Sequence, residues 1–419
     1  MSDILNAREN RLNLINSYLD KFDVITIKVN MFGNNKNNNI SKTILGLLLP
    51  DILNNNILKN YNYEYINSID GDFLLYKMDK CRYLNLKEEM IKIESSDIGR
   101  LIDIDVYHDN KSSSIRREVP RKCVICDDIS FNCIRSHRHT YDELYNKYLE
   151  IIYPTLEELI ETTIIQSMDM ELRLTPKFGC VCYDNSGSHQ DLNYDIMYSC
   201  AKTLIPFFSM MFKEGFFNKD INSLFNNINK IGRTAEDVMF KTYNTNCYKG
   251  LIFCLGILVC GLGRFLSSMD SIFFSTALSD VLTEYKIKKL NTFGYQEYLK
   301  GFLGIRGEVM GGYKSIKDVI RYLNNEDDLA NNNKLLRVFC DIVKNIDDTI
   351  LLKRCGTMDK YLEYKNKISS AYLLDNDSIN KLNEECINKN ISLGGTCDLL
   401  VCTLFLKHIQ LRLHLKELL

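Results

Sequence analysis

Asp103 and Asp105 stand two residues apart in Gly99-Arg-Leu-Ile-Asp-Ile-Asp-Val106, and a basic, cysteine-rich segment follows shortly after. In a β-strand alternate side chains share one face, so both carboxylates would project together while Ile102, Ile104 and Val106 turn to the core. Neighbouring carboxylates repel unless a positive charge lies between them. Mg2+ suits that place, since it takes one or two carboxylates and completes its shell with phosphate oxygens and water. The bland alternative is two solvated aspartates on the outer face of a half-buried strand. Arg116, Arg117, Arg121, Lys122, Arg135 and Arg138 weigh against it, because arginine's planar fork grips phosphate oxygens bidentately. Paired carboxylates followed by cations describe a polyphosphate site, where the protein positions groups and neutralises charge. Asp103 and Asp105 are therefore expected to be catalytic as Mg2+ ligands, and Arg116, Arg121, Arg135 and Arg138 to bind substrate.

The same segment holds Cys123-Val-Ile-Cys126, Cys133, His137 and His139. Cys123, Cys126, Cys133 and His139 could close a tetrahedral zinc site. The rival reading is a set of small buried thiols in a reduced protein.

Residues 4–153 resemble the apo-citrate lyase phosphoribosyl-dephospho-CoA transferase family. The matching pieces are Leu5-Asn-Ala-Arg-Glu-Asn-Arg11, Asn30 to Lys36, the Asp-Ile-Asp-Val strand, Pro120-Arg-Lys-Cys-Val-Ile-Cys126 and Cys133-Ile-Arg-Ser-His-Arg-His139. The family's Asn-x-Pro-Gly-Pro-x-Lys reads Asn30-Met-Phe-Gly-Asn-Asn-Lys36 here, so both prolines are gone while Gly33 and Lys36 stay. The resemblance implies transfer of phosphoribosyl-dephospho-CoA onto a serine of the lyase's acyl carrier (gamma) subunit, with pyrophosphate leaving. It also makes Lys36 a substrate-binding residue.

Polar clusters recur later, between apolar stretches: Thr175-Pro-Lys-Phe-Gly179, Asn185-Ser-Gly-Ser-His-Gln-Asp191, Glu236, Asn246-Cys-Tyr-Lys-Gly250, Gly304-Ile-Arg-Gly-Glu308 and Ser392-Leu-Gly-Gly-Thr-Cys-Asp398. Gly394 and Gly395 at the start of an apolar helix suggest backbone N–H groups that hold phosphate, helped by the helix dipole. Lys249 would open another helix, where that dipole disfavours a cation. A phosphate would explain it. Each cluster alone reads as a loop with cap residues; together they point to a pocket for an anionic ligand.

From about residue 157 to 419 these clusters resemble the triphosphoribosyl-dephospho-CoA synthase family. That resemblance implies joining of ATP and dephospho-CoA with release of adenine, the 2′-hydroxyl attacking C1′ of the ATP ribose. Positive charge develops on the ring as in glycoside cleavage, and a carboxylate can stabilise it. Carried over by motif, Lys177, Lys249 and Arg306 would meet phosphates, with His189, Asp191, Gly394 and Gly395 also binding substrate. Glu236, Glu308 and Asp398 would be catalytic, at the metal or the oxocarbenium-like centre. The chain departs from the family at Cys182 (an aspartate there), Tyr248 (a histidine) and Leu393 (a proline). Those departures leave a second reading open, in which the transferase is active and the later half only binds nucleotide or a partner. Service to malonate decarboxylase is a third.

The elements that must position these groups change character near Pro154. Before it, Val24–Val29 and Phe73–Tyr76 read as strands among helices. After it, helical spacing dominates: a capping box at Thr155 and Glu158, then Leu156, Leu159, Ile160, Ile164 and Met168 along one face. Asp195–Phe212, Gly250–Leu266 and Asn388–Leu413 also read as helices, the second apolar all round and therefore central. The expectation is an α+β domain over 1–153 and a mainly α-helical domain over 154–419.

A chain of 419 residues is long enough for two such domains. A net charge of -2 argues against general nucleic-acid binding, since no surplus of positive charge displaces counterions. Fifteen scattered cysteines fit a reducing cytoplasm better than a disulfide framework. The first residues lack the apolar core of a signal peptide, and the run Gly250–Gly263 is short for a bilayer span, so no membrane is expected. Mg2+, ATP and dephospho-CoA are the expected small-molecule partners, with zinc as a structural addition.

Overall fold

The computed structural model describes residues 2–80, 85–108, 114–286, 292–415 and 418. The chain divides into two compact units, one of residues 1–156 with 266–272 and 412–415, the other of 157–265, 273–411 and 416–419.

The first unit is α+β. In chain order it holds α1 (Ser2–Asn16), β1 (Phe22–Val29), α2 (Asn39–Asn54), β2 (Tyr63–Ile66), β3 (Phe73–Asp79), α3 (Leu86–Glu94), β4 (Ile102–Tyr107) and α4 (Ser130–Arg135). The four strands form one antiparallel sheet in the order β2-β3-β1-β4. Alternation gives the sheet two unlike faces. Ile25, Ile27, Leu74, Tyr76, Ile102 and Ile104 are wholly buried on one. The other carries Val24, Phe73, Leu75 and Tyr107 beneath Ile15 and Leu19, then turns polar at Thr26, Lys28, Asp103 and Asp105.

α2 starts where it does because Asn38 and Ser41 cap each other reciprocally: the Asn38 Oδ1 accepts from the Ser41 N–H at 2.9 Å, and the Ser41 Oγ from the Asn38 N–H at 3.1 Å. At the sheet edge β4 would show bare backbone groups, but side chains satisfy them. The Lys87 ammonium donates to the Ile104 carbonyl, Glu94 accepts from the Ile104 N–H at 2.8 Å, and Arg121 donates to the Ile102 carbonyl at 2.6 Å.

α5 (Tyr141–Arg173) runs unbroken through the expected domain edge, with Pro154 inside it. Thr155 therefore caps nothing, and the expected capping box is corrected: Thr140 and Glu143 cap the helix instead. The apolar stripe of Leu156, Ile160, Ile164 and Met168 is buried as expected.

The second unit is helical throughout. After α5 come α6 (Tyr194–Phe217), α7 (Ile221–Tyr243), α8 (Lys249–Leu266), α9 (Phe274–Leu282), α10 (Phe293–Leu299), α11 (Gly304–Met310), α12 (Lys314–Val319), α13 (Glu326–Ala330), α14 (Asn332–Asn345), α15 (Thr349–Cys355), α16 (Met358–Ser369), α17 (Asn376–Asn388) and α18 (Gly394–Arg412). α8 is the central rod. A side chain at Gly215 or Gly263 would collide with backbone of Cys260 or Phe212, so glycine sets how closely α6 and α8 pack. Among the described residues α8 is the one helix long and apolar enough to cross a membrane, at 18 residues, and 78% of it is buried in the fold. The helix expected over Asn388–Leu413 is one that starts later: α18 begins at Gly394, after α17 has ended at Asn388 and residues 389–393 have turned.

Candidate active sites

On the polar face of the first sheet, β1 sets Lys28 directly across from Asp103 and Thr26 across from Asp105. Asp103 is 40% exposed and accepts from Arg121 at 3.1 Å; the same guanidinium reaches Glu94 at 2.6 Å. Burial, then the Asp103 charge, raises the Asp105 carboxyl above its ordinary value, against a Ser114 hydrogen bond and the charges of Lys87 and Lys28. Two carboxylates side by side, one of them reluctant to ionise, are hard oxygen donors that fit Mg2+.

Lys28 also lies 3.4 Å from Asp70, which is wholly buried and accepts from Arg8 Nε at 3.0 Å and Arg11 Nη1 at 2.8 Å. Lys36 comes from the loop that Asn37 ties to Ser68 and Asp72 at 3.1 and 2.9 Å. Its amine is pulled down by burial and by Arg8 and Arg11, with Asp70 opposing. Lys28 and Asp70 are not named from sequence, and Arg8 and Arg11 stand there only within the motif Leu5-Asn-Ala-Arg-Glu-Asn-Arg11, without a role. The signal was present: Arg8 and Arg11 are three apart on one helix face, and Lys28 follows the strand alternation.

The expected run of arginines splits. Arg116 and Arg121, with Arg117, Lys87 and His108, line a cavity of about 890 Å3 beside α3. Arg135 lies over the Phe131 ring at 5.3 Å, and Arg138 donates to Asp128 at 2.8 Å. Neither lines that cavity. Both sit in the cysteine segment, where the donor atoms of Cys123, Cys126, Cys133 and His139 all fall within 4.8 Å of one another. Cys126 Sγ is 3.4 Å from Cys133 Sγ and 3.3 Å from His139 Nε2. Tetrahedral zinc with bonds of about 2.0–2.3 Å spaces its ligand atoms by roughly 3.3 to 3.8 Å, which the separations of Cys126 from Cys133 and from His139 match.

In the second unit a cavity of about 510 Å3 brings together His189, Tyr248, Gly394 and Asp398, joined by Glu171, Lys353 and Arg354 that sequence reasoning did not name. α18 begins at its wall. The buried Asp348 carboxylate holds that first turn, accepting from the Thr396 N–H at 2.8 Å and Oγ1 at 2.9 Å while capping α15 through the Ile350 and Leu351 N–H groups. Asp398 is buried against Gly250, where any side chain would collide with its carboxylate. It makes no hydrogen bond among the described residues, and burial, then Cys254 and Asp348, pushes its pKa well above the usual range. The Tyr248 hydroxyl is buried without a partner. His189 Nε2 lies 3.1 Å from Ser392 Oγ, and burial, then Arg354, pulls the ring's pKa below 6.5 against Asp191. Asp191 itself is exposed.

Five expected site residues have other employment. Lys177 is 1% exposed, its ammonium committed to Glu171 Oε1 at 2.6 Å and the Glu171 carbonyl at 2.9 Å, so it positions Glu171 and does not face phosphate. Lys249 does open α8, paired with Glu236 at 2.7 Å and 58% exposed; that pair explains a cation at a helix start, and neither residue lines the cavity. Glu308 accepts from the Ser315 N–H and Oγ at 3.0 and 2.6 Å, holding the start of α12. Arg306 hydrogen-bonds Tyr285.

Comparison with known proteins matches residues 1–154 to the apo-citrate lyase phosphoribosyl-dephospho-CoA transferase family and residues 157–416 to the ATP:dephospho-CoA triphosphoribosyl transferase family. A protein named CitXG from Haemophilus influenzae is 26% identical over 443 residues, covering 96% of this chain and 94% of its own. Its namesake from Leuconostoc mesenteroides subsp. cremoris is 26% identical over 429 residues, covering 92% and 91%. A 2-(5″-triphosphoribosyl)-3′-dephosphocoenzyme-A synthase from Haemophilus ducreyi is 27% identical over 320 residues, 67% of this chain and 98% of its own. The chain thus belongs to the ATP:dephospho-CoA triphosphoribosyl transferase family, with the apo-citrate lyase phosphoribosyl-dephospho-CoA transferase domain fused ahead of it, a bifunctional transferase of citrate lyase prosthetic-group biosynthesis.

Proposed function

We propose that both halves turn over: residues 154–419 make triphosphoribosyl-dephospho-CoA, and residues 1–153 transfer phosphoribosyl-dephospho-CoA to a serine of the citrate lyase acyl carrier (gamma) subunit. The observation that carries this reading is the buried, unpartnered Tyr248 hydroxyl in one cavity of about 510 Å3 with Asp398, whose carboxyl burial pushes well above its usual pKa. An orphaned buried polar group costs about 1–3 kcal/mol, and a domain kept only as a scaffold has no reason to bear it. In the synthase step the 2′-hydroxyl of dephospho-CoA bonds to C1′ of the ATP ribose and loses its proton. The C1′–N bond breaks with its electron pair going to adenine. A carboxyl of raised pKa, Asp398, suits protonation of that departing base. Glu171, fixed by Lys177, faces the developing ring charge, while Lys353, Arg354 and the α18 backbone take the triphosphate.

In the transferase half Asp103 and Asp105 would hold Mg2+, which when bound would neutralise phosphate charge. Cys123, Cys126, Cys133 and His139 would hold a zinc that ties down the segment carrying Arg121. Tethering both sites on one chain raises the effective concentration of the intermediate. Purified protein incubated with Mg2+, ATP, dephospho-CoA and apo carrier should add the mass of phosphoribosyl-dephospho-CoA to the carrier, read by intact mass spectrometry. A gain only when preformed triphosphoribosyl-dephospho-CoA is supplied would refute turnover in the second half.

A further inference from the structure

Four cations of the first unit converge on one carboxylate. Arg8 and Arg11 of α1 and Lys28 of β1 all reach the buried Asp70, and Lys36 is close enough for its charge to be felt there. A structural ion pair needs one cation. Here three positive charges are left over, with Arg11 and Lys28 only 15% and 18% exposed, where screening by water is weak. The aspartates opposite do not absorb the surplus if they hold a divalent ion, because two carboxylates and one Mg2+ cancel. The place therefore suits an anion of about three charges, carried on oxygens that guanidinium forks can grip and lying beside the metal ligands.

We propose that Arg8, Arg11, Lys28 and Lys36 form the diphosphate subsite of the transferase half, with Asp70 as the residue that positions them. The inference rests on the transferase reading above. In that reaction the carrier serine oxygen bonds to the α-phosphorus and its proton passes to solvent. The bond from that phosphorus to the α–β bridging oxygen breaks, and its electron pair leaves with the diphosphate. The subsite receives the growing charge on that leaving group. Lys28 lies across the strand pair from Asp103, so it stands next to any metal the aspartates hold.

The test titrates inorganic diphosphate, with Mg2+ present, into the full chain and into Arg8→Ala and Lys36→Ala, by calorimetry. Arg8 is 44% exposed, so its loss should leave folding intact, and a melting curve checks it. Each variant should bind diphosphate at least about tenfold more weakly, as for loss of one charge-assisted contact, with Arg8→Lys recovering part. Diphosphate should also inhibit carrier modification from preformed substrate about tenfold less well in the variants. Equal affinity across the three proteins, or no binding by the unmodified chain, overturns the subsite. If binding weakens as stated while the unmodified chain fails to label the carrier, the anion site stands and the transferase reading falls.

Discussion

Asn in place of Asp105 should stabilise the metal-free protein and disable the transferase. Two residues along a strand separate side chains on one face by about 6.6 Å. At an effective dielectric near 20 that spacing puts roughly 2.5 kcal/mol of repulsion between two carboxylates. Asp103 is 40% exposed and already faces Arg121 at 3.1 Å, so solvent and the guanidinium reduce the figure to about 1 kcal/mol. Burial acts in the same direction, because it disfavours only the charged form of Asp105. Asn keeps the shape and can still bond Ser114. Calorimetric melting without Mg2+ at pH 7 should therefore show the unit's transition about 2 to 4 °C higher in Asp105→Asn.

The pH dependence fixes the sign independently. A carboxyl whose native pKa is raised above the ordinary 3.8 holds its proton more tightly folded than unfolded. Stability from this group is present below that value and is lost as pH climbs through the native pKa. The variant escapes this loss, so the two curves should meet near pH 3 and part above it. Mg2+ should reverse the order by stabilising the unmodified chain, and transfer to the carrier should fall by about 10²-fold or more in the variant, the scale of several kcal/mol of lost charge stabilisation. A variant less stable than the parent without Mg2+, or one that still labels the carrier at the parent's rate, would refute the paired-carboxylate argument.

The remaining expectations concern the other clusters. Protein purified without chelator should carry about one zinc per chain by mass spectrometry of the metal, and Cys133→Ser should lose it; a fully folded, zinc-free preparation with four reactive thiol or imidazole groups would count against the site. Asp398→Asn should stop formation of triphosphoribosyl-dephospho-CoA while leaving carrier modification from preformed substrate intact. Tyr248→Phe should melt no lower than the parent, since it removes an orphaned buried hydroxyl, yet turn over more slowly; unchanged turnover would mean the hydroxyl meets no substrate. Lys177→Met should destabilise the helical unit by about 3–5 kcal/mol by stranding the buried Glu171 charge. A stable Lys177→Met protein with weakened ATP binding alone would restore the phosphate role read from the sequence.

What the sequence made legible was whatever depends on short-range pattern. The alternation of Asp-Ile-Asp with buried isoleucines, the apolar α8 and the close-set Cys/His donors are local facts, and the folded chain keeps them. The departures come from partners that short-range pattern does not specify. Glu308 looked catalytic by motif, but Ser315 claims it; Lys249 looked like a phosphate ligand, but Glu236 supplies the counter-charge. No spacing rule reveals that Asp70 gathers cations from α1 and β1, or that Asp348 crosses to Thr396 to hold the start of α18. β2 was missed because Tyr63-Glu-Tyr-Ile66 is too short and too polar to stand out before its pairing with β3 is known.

Of the departures from the synthase family, Cys182 and Tyr248 bear unequally on turnover. Cys182 is buried with its backbone N–H bonded to the Asn185 carbonyl at 3.0 Å, and it does not line the cavity. An aspartate missing there removes a charge from the cavity's surroundings and no group from its wall. Tyr248 does line the cavity, and burial holds its phenol protonated, so it can donate a hydrogen bond but cannot exchange a proton near neutral pH. His189 opens onto the same cavity, and its lowered pKa keeps the imidazole neutral and able to take a proton. If His189 supplies the base that position 248 no longer can, His189→Gln should abolish the synthase step, and Tyr248→His should raise turnover in the parent while restoring some to His189→Gln. Silence of both variants would place the base elsewhere and leave Tyr248 as a donor alone.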